Sequence, residues 1–285
     1  MKHNKTSKIV AAAAASMLVF AGSSCEKNAA EKDNESSSLE FECISAKATF
    51  VQKGSADSLV EMGLESDALF SDSVSLIMPK SLRGCDVTEL RDSIVSIALQ
   101  IKGVPVEKAV CQWVDTMGMR QDFSPEKISD TWNAEYSGCD IVDGFVVNLT
   151  PHVLVYCITH DVYFMGAAHG SSNRRYINFD MAGKGSIITL ERLFTAEGLK
   201  KLPALIAARA ESMSDNIGAT TITELPENGN FFLSSEYEIV FSYQPYEVAS
   251  YAQGLIEIPF DAYELLDEMT PYAINYFGLQ DFVTK

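Results

Sequence analysis

The sequence predicts an α+β fold in which helices pack against mixed or antiparallel sheets. Three observations favour this class: a globular composition, helical periodicity in the first half, and long β-rich runs after residue 144. Of the 285 residues, 47% are hydrophobic and 21% are charged, which is typical of a chain that buries a core. The length allows one large domain or two small ones.

In the first half, strand patterns precede helical ones. Residues 41–52 alternate apolar and polar side chains, and a second strand over 74–78 is predicted to end at Pro79. Helices are predicted from Asp86 and over 106–119, and Ser124 followed by proline begins a third helix that runs towards Tyr136. The apolar face of the first helix comprises Val87, Leu90, Ile94, Ile97 and Ile101.

The second half alternates strands with two helical stretches. The β-rich runs cover 144–165, and a hairpin with a Gly-rich turn at 181–185 follows. A helix is predicted over 199–213, with Pro203 allowed only near its start. The remaining predicted elements are strands over 237–243 and 255–259 and a closing helix over 261–277 that is interrupted at Pro271.

The N-terminal segment has the three parts of an export signal. Three lysines lie among the first eight residues, an apolar run covers 9–21, and small residues stand directly before Cys25. This order is typical of a secretory signal peptide and is too short for a membrane-spanning helix. Because a cysteine directly follows the small residues, residues 1–24 resemble a bacterial lipoprotein signal, and Cys25 is predicted to carry the lipid. Ordinary secretion is the alternative.

Residues 25–38 are predicted to form a flexible acidic tether, because they lack the large apolar side chains that folding needs. The formal net charge of −17 becomes −20 without the signal peptide, which holds three lysines and no acidic residue. This charge excludes nucleic acid and anionic lipid as favoured partners and leaves cationic partners open. The predicted location is the cell envelope, periplasmic or at the outer-membrane surface, with lipid on Cys25 as the anchor.

The five cysteines after Cys25 form no metal or redox motif. Their number is odd and no two are separated by two residues, so zinc ribbons and thioredoxin-like motifs are unsupported. Buried free thiols are the expected state, and one or two disulfides stay open as an alternative in an exported protein. The cysteines are Cys43, Cys85, Cys111, Cys139 and Cys157.

An ordered series of short motifs in the second half resembles a known family. The series runs from GAAHG at 166–170 through YINFD at 176–180 and ITLERLF at 188–194 to YQPYE at 243–247 and YAQG at 251–254. In this order the motifs resemble the C-terminal domain of the PdaC/RsiV-like family. The stretch that leads into the first helix resembles the companion domain that precedes it.

The resemblance implies two extracytoplasmic α+β domains, residues 39–160 and 161–285. In the family, deacetylation belongs to a separate domain, and the anti-sigma factor RsiV uses this module as a receptor for lysozyme. Residues 1–285 contain neither the deacetylase domain nor the transmembrane and cytoplasmic parts of an anti-sigma factor. The resemblance therefore implies binding rather than catalysis.

Few residues carry the chemistry of a catalytic or metal site. Three histidines lie within residues 152–169, and His152 and His160 would be about 26 Å apart on one extended strand, too far to share a metal ion. His169 lies in a Gly-rich turn and is either a ligand-binding residue or a turn histidine bonded to nearby backbone. No serine-hydrolase elbow, zinc-protease motif or phosphate loop is found. We predict no catalytic residue, no metal and no cofactor.

Tyrosines concentrate near the C-terminus, where seven of the eleven lie after residue 236. Tyr237 and Tyr243 are predicted to share a buried strand face. Tyr246 and Tyr251 lie with Glu247 in a loop that is predicted to bind a cationic protein, to stack on a sugar ring, or to form a structural corner. The candidate ligand-binding residues are His169, Tyr246, Glu247 and Tyr251.

These observations predict a lipid-anchored envelope protein that binds rather than catalyses. Capture of a cationic, lysozyme-like protein is the most concrete version, because a strongly acidic surface steers the encounter with a basic partner. A cell-wall glycan binding or processing protein is the first alternative. A structural envelope lipoprotein is the second.

Overall fold

A computed structural model describes residues 38–53, 67–116, 138–164, 167–213 and 222–283. The predicted signal peptide, the lipidation site Cys25 and the predicted helix from Ser124 lie outside these residues. Ser38, the last residue of the predicted tether, already accepts a backbone hydrogen bond from Arg83 at 2.9 Å. None of the helices in the described residues is long and apolar enough to cross a bilayer.

The predicted α+β class is confirmed, since the described residues form two sheets and several helices. The strands are β1 (Leu39–Lys53), β2 (Asp67–Leu82), β3 (Gly138–Leu149), β4 (Val153–Phe164), β5 (Ser171–Asp180), β6 (Ser186–Ile188), β7 (Phe231–Leu233), β8 (Glu238–Tyr243) and β9 (Ile256–Asp261). The helices are α1 (Thr88–Leu99), α2 (Val106–Thr116), α3 (Leu190–Leu193), α4 (Ala196–Ser212) and α5 (Pro271–Tyr276), with 3₁₀ helices at Glu227–Gly229, Tyr251–Gln253, Ala262–Glu268 and Gln280–Phe282.

The described residues divide into two compact units, and strands β3, β4 and β5 contribute residues to both. Unit 1 contains the described residues up to Phe145 together with Ile158–Asn173. Unit 2 contains Val146–Cys157 and the described residues from Arg174 onwards. The chain thus passes between the units several times, whereas each predicted domain is one continuous stretch. The division into family domains stays a prediction.

Unit 1 is built on a sheet in which β2 lies between β1 and β3. β1 pairs antiparallel with β2 along its length, which confirms the predicted first strand, and β2 pairs parallel with β3 from Phe70 to Leu76. Side chains alternate between a buried apolar face, against which α2 packs, and a more exposed polar face. Ile44, Val74 and Met78 lie on the buried face.

β2 continues past Pro79 to Leu82, so the predicted strand end is wrong. The carbonyl of Pro79 accepts a hydrogen bond from the guanidinium of Arg91 at 2.8 Å, so the nitrogen of Pro79 also points away from β1. Pairing with β3 stops at Leu76, and no ladder bond is therefore lost at the proline.

The buried face of α1 is rotated relative to the prediction. The helix ends at Leu99 because Gln100 takes a left-handed conformation, with φ 58°. Its buried side chains include Val95 and Ala98, whereas Ile97 is 37% exposed. Leu90 and Ile94 are buried as predicted.

Unit 2 combines parts of β3, β4 and β5 with β6 and a second sheet of order β7-β8-β9. The antiparallel pairing of β5 with β6 across residues 181–185 confirms the predicted hairpin. Helix α4 packs against β9, and its Leu202 and Ile206 join Phe241 and Ile258 in the core.

The helices of unit 2 differ from the prediction at their starts. Thr195 caps α4 by accepting the amide of Gly198 at 2.9 Å, so the helix begins at Ala196 and Pro203 lies inside it rather than near its start. An internal proline costs about 3 kcal/mol, which the burial of apolar neighbours on α4 offsets. The predicted closing helix is a 3₁₀ helix as far as Glu268, and after the predicted interruption α5 begins at Pro271.

The side-chain amide of Asn178 on β5 bonds to the backbone of β7. Asn178 is 2% exposed, its Nδ2 donates to the carbonyl of Phe231 at 2.9 Å, and its Oδ1 accepts the amide of Leu233 at 2.9 Å. One side chain therefore satisfies two backbone groups of a short strand that would otherwise be buried without partners.

Asn230, just before β7, repeats this arrangement in the opposite direction. It is 3% exposed, its Oδ1 accepts the amide of Tyr176 at 3.0 Å, and its Nδ2 donates to the carbonyls of Arg174 and Ser242. The two asparagines thus connect β5 with the second sheet of unit 2.

Replacing Asn178 with alanine is expected to lower the free energy of unfolding by about 2–4 kcal/mol, because a buried carbonyl and a buried amide both lose their partner. Urea denaturation measures the change. The control Asn173→Ala, at an exposed position of the same strand, should cost less than about 0.5 kcal/mol. Equal losses in the two variants would contradict the bridging role.

Gly198 lies where the backbone of Glu268 approaches α4, and a Cβ at this position would collide with the carbonyl oxygen of Glu268. Gly→Ala inside a helix ordinarily stabilises by about 0.5–1 kcal/mol. We expect Gly198→Ala to lower Tm instead, because the clash involves backbone. The exposed control Ala204→Gly should show the ordinary helix penalty of similar size. A rise in Tm for Gly198→Ala would show that the close approach is absent.

Candidate functional site

The loop that joins β8 to β9 holds three of the four predicted ligand-binding residues, Tyr246, Glu247 and Tyr251. Tyr246 has a left-handed backbone with φ 71°, and its amide donates to the carbonyl of Ala249 at 3.1 Å. This conformation is uncommon for a bulky residue and persists only where surrounding contacts impose it. Its side chain is 66% exposed.

Glu247 holds this loop through both of its carboxylate oxygens. One accepts the backbone amide of Glu227, and the other accepts the amide of Gln244 at 2.7 Å. Gln244 in turn exchanges two hydrogen bonds with the backbone of Arg174 on β5, at 2.8 and 2.7 Å. Glu247 therefore positions the loop that carries Tyr246. Its role as a ligand contact stays a prediction.

The rings of Tyr246 and Tyr251 lie together, with centroids 5.6 Å apart and an interplanar angle of 33°. Two exposed acidic residues, Glu224 and Glu227, lie beside the loop: the carbonyl of Glu224 accepts the hydroxyl of Tyr243, and the amide of Glu227 is bound by Glu247. We call these two tyrosines and two glutamates the Tyr246 surface. Its aromatic faces suit a cation or a sugar ring.

The basic side chain of Arg175 lies close to the carboxylates of Glu227 and Glu247. Burial lowers the pKa of Arg175, and the charges of Glu227 and Glu247 oppose that shift. Burial is also the main reason why the pKa of Tyr243 is raised, with Glu247 adding to it. Tyr243 therefore stays a neutral donor to the carbonyl of Glu224.

His169, the fourth predicted residue, belongs to unit 1 and not to the unit that carries the Tyr246 surface. It is exposed, and its Nδ1 donates to the carbonyl of Gly170 at 2.7 Å. This is the geometry of a turn histidine bonded to nearby backbone. Its ligand-binding role stays a prediction.

The prediction for Tyr237 is wrong, while Tyr243 is buried as expected. β8 begins at Glu238, and Tyr237 lies in the preceding turn with φ 64° and a side chain that is 65% exposed. The hydroxyl of Ser234 accepts the amides of Glu236 and Glu238, which places Tyr237 in the turn. Alternation along the strand gave no sign of where the turn ends.

Sequence reasoning missed a buried polar cluster around Asp180. The hydroxyl of Tyr272 donates to Oδ2 of Asp180 at 2.7 Å, and the guanidinium of Arg192 lies 4.1 Å from the centroid of the Tyr272 ring. Burial and the Asp180 carboxylate raise the pKa of Tyr272. Asp180 belongs to the YINFD motif and Arg192 to the ITLERLF motif. Both contact Tyr272 of the same unit.

A second missed contact lies in unit 1. Nε2 of His160 is 2.7 Å from Oδ1 of the buried Asp140, and the ring of Trp113 meets that of His160 edge to face, with centroids 6.2 Å apart. The sequence signal is faint, because twenty residues separate the two partners. The contact ties β3 and β4 to α2.

The described residues assemble no group of three or more potential metal ligands. All five cysteines are free thiols, and Cys157 is buried whereas the other four are half-buried. Burial raises the pKa of Cys157 to about 11, so this thiol is protonated at neutral pH.

One family model matches part of this chain and covers the last two motifs of the series, YQPYE and YAQG, in full. Residues 191–262 match the model described as "Protein of unknown function (DUF3298)". A search of curated proteins found no match.

Two solved structures resemble the fold. A DUF3298-family protein from Bacteroides fragilis has a TM-score of 0.60 and 18% sequence identity, with 87% of this chain and 100% of that chain covered. A DUF3298-family protein from Pseudomonas aeruginosa has a TM-score of 0.52 and 11% identity, with 84% and 98% covered. At these identities the likeness concerns the fold. Residues 191–262 are thus similar to DUF3298, and the finer PdaC/RsiV-like resemblance stays a prediction.

Proposed function

We propose that this chain is a lipid-anchored cell-envelope protein that captures a cationic, lysozyme-like protein through the Tyr246 surface. The observation that carries the proposal is the pair of the exposed Tyr246 and the half-buried Tyr251, in a loop that both oxygens of Glu247 hold. A preorganised aromatic pair loses little entropy on binding, and such side chains dominate interface energies.

The charge of unit 2 supports a basic partner. Its described residues include 15 Asp and Glu against 7 Lys and Arg. Glu247 follows Tyr246 directly and binds the backbone amide of the exposed Glu227, so a Lys or Arg of the partner that stacks on Tyr246 also meets a negative potential. Binding of this kind needs no catalytic residue, metal or cofactor.

Titration with a c-type lysozyme at low and moderate salt tests the partner. Tyr246→Ala is expected to weaken binding about tenfold, because an exposed aromatic anchor is removed. The matched control is Tyr237→Ala, which removes an equally exposed tyrosine with a similar backbone conformation from the same unit. Absence of binding at low salt, or equal losses in both variants, would overturn the proposal.

The glycan alternative uses the same aromatic faces to stack on a sugar ring. Titration with soluble wall oligosaccharides separates it from protein capture, because sugar stacking depends little on salt whereas capture of a basic protein weakens as salt rises. If His169 serves such a glycan site, His169→Ala abolishes oligosaccharide binding or processing. Binding of neither lysozyme nor oligosaccharide would favour the structural lipoprotein.

The anchor has its own test. In the bacterial host, Cys25→Ala is expected to move the protein from the membrane fraction to the soluble fraction, because the lipid supplies the membrane affinity. Cys43→Ala is the matched control and should leave the protein in the membrane fraction. Membrane retention of Cys25→Ala would contradict lipidation at this residue.

A further inference from the structure

One side of the unit 1 sheet carries an exposed patch of aromatic and acidic residues. On β3 the side chains of Asp140 and Val142 face the buried side, so Asp143 and Phe145 lie on the opposite face. Phe145 is 39% exposed.

On β4, alternation places an aspartate and a tyrosine on this same face of the sheet. His160 contacts Trp113 of α2 on the helix side of the sheet, so Asp161 and Tyr163 point to the other side. Tyr163 is 45% exposed. We call the set of Asp143, Phe145, Asp161 and Tyr163 the open face.

The two carboxylates of the open face lie on the same face of the neighbouring strands β3 and β4, so their charges repel each other. The pKa of Asp143 is raised first by partial burial and then by the charge of Asp161. Its register neighbours on β2 and β1 are Ser75 and Ser45, which bring no compensating charge. Neither aspartate forms an ion pair with another described residue. A bound cation would relieve this repulsion.

We propose that the open face is a docking surface for a basic polypeptide segment, with an arginine side chain seated between Asp143 and Asp161. A planar guanidinium can bond to carboxylates through several N–H groups while its face stacks on Tyr163 or Phe145. Charge complementarity selects this occupant. A calcium ion takes six to eight oxygen ligands, and the described residues bring no third His, Cys, Asp or Glu side chain to the pair.

Fluorescence anisotropy with the full chain tests this surface, using a labelled Gly/Ser peptide that carries two arginines. The double variant Asp143→Asn with Asp161→Asn is expected to weaken binding by at least tenfold, as the loss of charged hydrogen bonds requires. The control Glu89→Gln with Asp92→Asn removes the same charge from exposed positions on α1 and should change affinity less than twofold. Equal losses, or no binding by the parent chain, would overturn the proposal.

Two further measurements distinguish an arginine bound between the two aspartates from nonspecific electrostatic attraction of a basic peptide. Tyr163→Ala should weaken binding of the peptide whereas Tyr163→Phe should not, because phenylalanine keeps the stacking face. The same peptide with lysines in place of arginines should bind more weakly, since an ammonium group lacks the planar fork. If both peptides bind equally, or if a wall oligosaccharide binds the open face instead, the proposal fails.

This inference does not depend on the proposed function. Tyr246→Ala is expected to leave binding of the arginine peptide unchanged, because Tyr246 belongs to unit 2. If the parent chain binds the arginine peptide but does not bind lysozyme, the Tyr246 surface is rejected and the open face is retained. The reverse result would reject the open face alone.

Discussion

The rest of unit 2 depends on two buried amide side chains. Asn178 and Asn230 bond to backbone groups on β5, β7 and β8 where no strand pairs with these groups. A short strand such as β7 cannot leave its carbonyls and amides buried without partners, because each such group costs about 1–3 kcal/mol. The asparagines allow the second sheet to pack on β5 and so bring the β8–β9 loop beside Arg174, where Gln244 is bound.

Two carboxylates in unit 2 form hydrogen bonds within the fold. Asp180 accepts the hydroxyl of Tyr272, and Glu247 accepts two backbone amides at the base of its loop. The exposed groups that these contacts position are aromatic. This division of labour is common in binding proteins, where a rigid scaffold holds a loop that presents a few rigid side chains.

Acidic charge is distributed unevenly between paired and unpaired positions. Arg175 partly balances Glu227 and Glu247 at the Tyr246 surface, whereas Asp143 and Asp161 repel each other on the open face of unit 1. A fold tolerates such repulsion at a partly exposed position because solvent screens it. Both proposed binding surfaces, one in each unit, therefore combine aromatic side chains with carboxylates.

Local patterns were sufficient for the elements of the fold. Alternation identified β1, a Gly-rich turn marked the β5–β6 hairpin, and helical spacing found α1, α2 and α4, because these signals depend on neighbours in sequence. The errors arose where a hydrogen bond from a side chain decided the outcome. Arg91 allows β2 to continue through Pro79, and Ser234 keeps Tyr237 in a turn rather than on a strand.

For the candidate site, too, some features followed from the sequence and others only from the tertiary structure. Composition and motif order identified the acidic charge, the tyrosine-rich loop and its likeness to one family, since these are properties of the chain as written. Tertiary structure decided where each side chain lies: Glu247 bonds to two backbone amides, His169 and Tyr246 fall into different units, and Asp143 and Asp161 share one face of neighbouring strands. Such roles depend on which residues meet across strands, and a pattern of neighbours along one chain does not contain that information.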